Sequence, residues 1–189
     1  MKIIKGNDYR ILERLIGLKQ NSTKKVVSNF LRRKYPEVIE TKGSGNVHIT
    51  GNIGEIMSES IEVATTFVKS KYKYNLANID LHFHFLEAAS KKDGPSAGVA
   101  IAAALLSLLS KKKIPANVAF TGELSLNGSV LKVGGIKEKL IGAYNKGIKT
   151  VYIPKGNVKD LELIDEVITK ELEIIPISNF AELYTKYFK

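Results

Sequence analysis

The sequence predicts an α+β protein built of α/β layers, with mixed sheets packed against helices. Three observations carry that prediction. Short β-branched or alternating segments recur between helical ones, as at Ile79–Phe85, Val118–Phe120 and Lys149–Ile153. The run from Ser96 to Ser110 is almost wholly apolar and follows a Gly-Pro turn, the pattern of a helix buried on every side. Asn127-Gly128 lies between extended segments, where a hairpin turn is favoured.

Taken in order, residues 1–35 read as helical and basic. Ile11, Leu12, Leu15, Ile16 and Leu18 form one apolar face, and Val26, Val27, Phe30 and Leu31 form a second. Asn21-Ser22-Thr23 between them supplies cap-type side chains. Pro36 ends the second segment, because the residue before a proline is pushed out of the helical region. Thr41 to Gly45 reads as a loop and Asn46 to Thr50 as a short strand. Gly51 to Gly54 then turns into a helix with Met57, Ile61, Ala64 and Val68 on one face. In the next strand Ile79, Leu81, Phe83 and Phe85 alternate with Asp80, His82, His84 and Leu86. After the buried helix, Val118 to Phe120 reads as a strand ending at Thr121-Gly122, and Leu124 to Val133 as a hairpin. A helix over Ile136–Asn145 is stopped by Gly147, and a strand over Lys149–Ile153 ends at Pro154. The chain closes with a helix around Val158–Ile164, a strand near Leu172–Ile175 and a helix from Asn179.

The bulk numbers narrow the functional classes. A chain of 189 residues, 44% hydrophobic and 25% charged, has the balance of a soluble globular protein with one core. The longest apolar stretch, Val99–Leu109, is too short to span a bilayer, and no signal-peptide pattern follows Lys2 and Lys5. The absence of cysteine removes disulfides, thiolate chemistry and the usual zinc cages. His82 and His84 make a His-x-His pair with no third ligand at a diagnostic spacing, so no metal site is expected. The net charge of +10 favours anionic partners. The lysines are scattered, however, and not interleaved with aromatics, which favours a solvated basic surface over a nucleic-acid partner. No Gly-x-x-x-x-Gly-Lys-Ser/Thr loop is present, so no nucleotide engine is recognisable.

Ser96 has two readings from its own neighbourhood. A serine ahead of an apolar run is commonly a helix N-cap. The same turn also places a hydroxyl beside the unpaired N–H groups of a helix start, which can stabilise an oxyanion.

Further motifs stand in one register around it. His82-Phe83-His84, Lys92-Asp93-Gly94-Pro95-Ser96-Ala97-Gly98, Thr121-Gly122-Glu123 and Gly134-Gly135-Ile136-Lys137-Glu138-Lys139-Leu140 occur in order. With Thr50–Ser60, Gly147–Val151, Ile153-Pro154 and Asn157–Leu161, the chain from about Gly45 onward resembles the proteolytic domain of the Lon proteases. That resemblance implies a Ser–Lys dyad, with Ser96 as nucleophile and Lys139 as general base. A serine hydroxyl needs a base to take its proton. A lysine can serve only if burial or a nearby positive potential brings its pKa down from about 10.4 toward neutrality. The residues alone do not select Lys139: on a helical wheel it borders the apolar face beside Ile136 and Ala143, while Lys137 falls between Ile141 and Tyr144. Either reads as a solvated surface charge, and only the resemblance singles out Lys139.

The resemblance also implies that Thr121 hydrogen-bonds the dyad lysine. It implies that Gly94, Pro95, Ser96 and Ala97 form the oxyanion loop, with the Ser96 N–H as principal donor. Asp93 has two readings, an Asx-turn anchor or a carboxylate that swings to Lys139 and holds the amine charged. His82 and His84 are expected to position the loop. Glu40, in the strand Val38–Thr41, would stand where the family has an active-site carboxylate.

The chain departs from the family at Leu86, Ala88, Lys91 and Lys132, where prolines and a glycine are usual. It also lacks the family's opening β-hairpin in recognisable form. The expected organisation is a basic helical extension over 1–38 followed by a Lon-like proteolytic domain over 39–189. The implied function is endopeptidase cleavage of unfolded polypeptides in a homo-oligomeric ring, a hexamer, in the cytoplasm and without membrane association. No cofactor is expected in these residues. ATP would act only through an upstream domain or a partner AAA+ ATPase. The alternative is a non-catalytic Lon-type domain serving assembly or nucleic-acid binding.

Overall fold

The computed structural model describes residues 36–85, 89 and 91–189. The two basic helical segments expected within 1–35, and the departures at Leu86 and Ala88, lie outside the described residues.

The first layer is a three-stranded sheet. Strand β1 (Pro36–Lys42) pairs antiparallel with β3 (Ile79–Phe85), and β2 (Val47–Thr50) runs parallel to β3 on its other side. The alternation seen in the sequence appears as two faces: Leu81, Phe83 and Phe85 are buried, while Asp80, His82 and His84 are half-buried on the opposite face. Register places Val38 opposite Phe83 and Glu40 opposite Leu81, so β1 adds to the same core face.

Helix α1 (Glu55–Lys71) buries Met57, Ile61, Ala64, Phe67 and Val68, which recur at helical spacing. It packs against α2 (Gly98–Ser110), in which every residue from Gly98 to Leu108 is buried. A 3-10 turn, Pro95–Ala97, leads into α2, with proline at its first position, where a missing N–H costs nothing. Lys111, in the left-handed region at φ 58°, ends the helix. Contacts from α2 reach β1 on one side and β4 (Val118–Phe120) on the other, so this helix is the axis of the core.

The second sheet is wholly parallel, in the order β4-β7-β8, with β7 at Thr150–Pro154 and β8 at Glu173–Ile177. Between β4 and β7 lie the hairpin β5 (Glu123–Leu124)–β6 (Val130–Leu131) and helix α3 (Ile136–Asn145). Its bounds are those the sequence predicts. The C-terminal helix α5 (Ala181–Tyr187) joins the layers through aromatic side chains: Tyr184 stacks on Tyr72 of the α1 C-cap, and the Tyr187 hydroxyl meets that of Tyr152 at 3.0 Å.

Two expectations about local form are corrected. Asn127-Gly128 does not make a two-residue primed turn, which needs a positive φ at the first of the two positions. Only Gly128 has one, at 88°, and its N–H donates to Ser125 O at 2.9 Å, so the loop is a longer one in which glycine takes the left-handed position. The stretch expected as a helix around 158–164 is a 3-10 segment, Lys155–Leu163, followed by a short helix α4 (Glu166–Glu171) that begins on the Asp165 side-chain cap. Asn157 is the buried residue of that 3-10 segment, and Leu161 is partly buried against the core.

Candidate active site

The turn carrying Ser96 is fixed on both flanks. Upstream, Lys92 bridges to Ile53, Gly54 N–H donates to Lys92 O at 2.7 Å, and Lys92 N–H donates to Asn52 O at 3.1 Å. Asp93 Oδ1 then accepts two N–H groups, its neighbour Gly94 at 2.9 Å and Met57 in the first turn of α1 at 3.1 Å. Asp93 therefore caps α1 from outside the helix, whose own N-cap position, Gly54, has no side chain to do so. That glycine leaves room for the approach: a Cβ there would sit 2.2 Å from the Asp93 carboxyl carbon, so the carboxylate would have to shift. The structure thus places Asp93 as an anchor of the turn, directed at α1 rather than at Lys139.

Downstream, Ser96 O accepts Gly122 N–H at 3.0 Å and the Thr121 hydroxyl at 3.3 Å, and Val99 N–H donates back to Gly122 O at 3.1 Å. Thr121 is fully buried at the end of β4. Its hydroxyl serves the backbone of Ser96, not the amine of Lys139 as expected, because the strand end runs directly beside the turn. Ser96 itself is half-buried, and its N–H lies in the first 3-10 turn, ahead of the point where intrahelical bonding begins. Pro95 has no N–H to offer, and Ala97 is buried behind the turn.

Lys139 is 4% exposed, whereas its neighbours Lys137 and Glu138 are exposed. The wheel that could not separate the two lysines is resolved by what α3 packs against. Helical side chains lean toward the N-terminus, and Lys139 Nζ turns back to donate to Gly134 O at 2.6 Å. Among the described residues no carboxylate lies within ion-pair distance of it, and no hydrogen bond joins it to Ser96 Oγ. Burial holds the amine below the ordinary lysine value of 10.5, and the charge of Glu138 offsets only part of that. The positive end of the α3 dipole acts in the same direction.

The remaining candidates lie on the first sheet. His82 Nε2 and His84 Nδ1 both meet the Thr50 hydroxyl, at 3.0 and 2.6 Å, and His48 stands 3.9 Å from Asp80. One hydroxyl thus ties the two imidazoles to β2, so these bonds stiffen the sheet rather than reach Ser96. Glu40 is half-buried on β1. Among the described residues no group of three His, Cys, Asp or Glu side chains is arranged to hold a metal ion. Among the described residues no helix is long and apolar enough to cross a membrane. Two participants escaped the sequence reading, the Thr50 hydroxyl and the Gly134 carbonyl. The register Thr50↔His84 would have exposed the first, while a backbone acceptor leaves no trace in residue types.

A family model described as the Lon protease (S16) C-terminal proteolytic domain matches residues 35–189. The chain belongs to that family. A Lon protease of Elusimicrobium minutum is 43% identical over 144 residues, 75% of this chain and 17% of the relative. One from Haemophilus influenzae is 44% identical over 153 residues, covering 78% and 19%, and one from Vibrio parahaemolyticus is 46% identical over 154 residues, covering 77% and 20%. The chain spans about one fifth of the length of these curated relatives.

Proposed function

We propose that this chain is a serine endopeptidase domain that hydrolyses unfolded polypeptides through Ser96 and Lys139. The observation that carries the reading is the state of Lys139: a buried amine with a lowered pKa, no carboxylate partner among the described residues, and a carbonyl as its acceptor. Such an amine gives up its proton more readily than an exposed lysine does, and so is the better base of the two. In the reaction, the Lys139 amine keeps donating to Gly134 O and accepts the Ser96 hydroxyl proton on its lone pair as the serine attacks the peptide carbonyl. The carbonyl oxygen becomes an oxyanion held by the Ser96 N–H. Lys139 then protonates the departing amine, leaving an acyl-serine. Water, deprotonated by the same amine, releases the acid and restores Ser96.

Assembly into a homo-oligomeric ring, hexameric by family resemblance, belongs to this proposal, as does delivery of substrates by an AAA+ ATPase module that supplies the ATP dependence. A cytoplasmic setting and freedom from membranes complete it. The basic extension and the proteolytic domain are proposed as separate units, with the division expected at residue 38 moved ahead of β1, whose Pro36 and Val38 already pair with β3.

The test compares wild type, Ser96→Ala and Lys139→Ala on a fluorogenic unfolded casein across pH. Wild type should turn over, and each variant should lose on the order of a thousandfold or more in kcat. If all three are equally inert in every oligomeric state, the peptidase reading fails. The non-catalytic reading, favoured by the net charge of +10, would then be measured as salt-sensitive DNA binding unaffected by either substitution.

A further inference from the structure

The acceptor of the Lys139 amine, Gly134 O, lies in a Gly-Gly pair between the end of β6 and the start of α3. Gly134 is exposed, and Gly135 is left-handed at φ 69°. Such a pair has wide backbone freedom, so the carbonyl stays in place only if both of its flanks are held. On the helix side, Gly135 O accepts the Lys139 N–H at 3.0 Å. On the other side, Val133 lies past the strand and is gripped by one side chain, Asn157. The Asn157 carbonyl oxygen accepts Val133 N–H at 3.0 Å, and its amide donates to Val133 O at 2.8 Å. This pair of bonds does what a neighbouring strand would do.

Asn157 is fully buried, the one buried position of its 3-10 segment. A position needed only for packing would favour an apolar residue, since a buried amide is tolerated only when hydrogen-bonded. Its second amide hydrogen goes to Asp160 Oδ2 at 2.6 Å, which fixes which way round the amide sits. Asp160 in turn receives Lys132 Nζ at 3.3 Å, at a position where the family usually has proline.

We propose that Asn157, oriented by Asp160, is a positioning residue for Lys139: by clamping Val133 it fixes the Gly134 carbonyl that holds the amine in place for Ser96. The inference rests on the Ser–Lys reading above. It needs no contact between Asn157 and substrate.

The experiment measures kcat and KM on the unfolded substrate, and the rate at which a fluorophosphonate labels Ser96. The variants are Asn157→Ala, Asp160→Ala and Asp160→Asn, each made alone and with Lys139→Ala. Misplacing a catalytic base by about an ångström costs on the order of a hundredfold, so Asn157→Ala should lower kcat at least about tenfold with KM within about twofold. Asp160→Ala should show a smaller loss. Asp160→Asn, whose side-chain oxygen still accepts from Asn157, should stay near wild type. On the Lys139→Ala background, neither alanine variant should slow labelling further. Folded alanine variants with wild-type kcat would overturn the proposal, as would equal losses with and without Lys139, which mark a general scaffold role. If Asn157→Ala does not fold, Asp160→Ala decides by the same two criteria. Lys139→Ala with unchanged turnover and labelling would instead refute the Ser–Lys reading itself.

Discussion

Asp93 Oδ1 accepts the N–H of Met57 at 3.1 Å, so the first turn of α1 is capped by a residue three positions before the candidate nucleophile. The cap and the nucleophile turn are therefore one mechanical unit, and stability and activity should change together when it is altered. Asp93→Ala should lower unfolding free energy by about 1–2 kcal/mol, the usual cost of a lost N-cap. It should also reduce kcat more than KM. Asp93→Asn keeps an acceptor oxygen and should retain most of both, as measured by urea unfolding and peptide turnover on the same samples.

Gly54 tests the same contact from the other side. A methyl group there would overlap the Asp93 carboxylate, so Gly54→Ala should destabilise by about 1–3 kcal/mol. Removing the obstacle should relieve that cost. The double variant Gly54→Ala/Asp93→Ala should therefore be less destabilised than the sum of the two singles, a coupling measurable by a double-mutant cycle.

Thr121 and Ser96 supply a third case. The buried Thr121 hydroxyl donates to Ser96 O, which also accepts the Gly122 N–H. Thr121→Val leaves that carbonyl with one donor, and should cost about 1 kcal/mol and a several-fold loss in kcat. Thr121→Ser should restore both. If Thr121→Val loses all activity with no loss of stability, the hydroxyl acts on the Lys139 amine during turnover and not on the turn.

Lys139 makes a pH prediction with a definite sign. Its folded pKa is lowered by burial, while the unfolded chain has the ordinary value of 10.5. Between those two values the unfolded state binds more protons, so stability contributed through this group rises with pH across that window. Lys139→Met removes the buried amine and should be more stable than wild type at neutral pH, with the difference shrinking as pH approaches 10.5. Peptidase activity in wild type should rise through the folded pKa as the amine becomes neutral. Lys139→Arg should be inactive at every pH, because a guanidinium does not deprotonate. Thermal melts and kcat/KM profiles over the same buffers check both limbs.

Much of the fold was legible in the sequence because burial patterns follow from side-chain type. The alternation at Ile79–Phe85, the unbroken apolar run of α2 and the amphipathic spacing of α3 each have one low-energy solution. The hairpin loop and the 3-10 segment were not legible in detail. The φ of Asn127 and the winding at Lys155–Leu163 are set by what those residues pack on, and several local forms cost nearly the same.

For the candidate site the division is sharper. Sequence alone determined which residues were candidates: Ser96 in a rigid turn, with Thr121 and Lys139 in the register of the Lon proteolytic domain. Only the tertiary structure decided how they are held. It buried Lys139 rather than Lys137, turned its amine to Gly134 O, gave Thr121 to the Ser96 backbone, and set Asp93 on the α1 terminus. The physical reason is that desolvation and hydrogen-bond choice depend on which atoms of distant segments arrive together, and a residue's type records only what it is able to donate or accept.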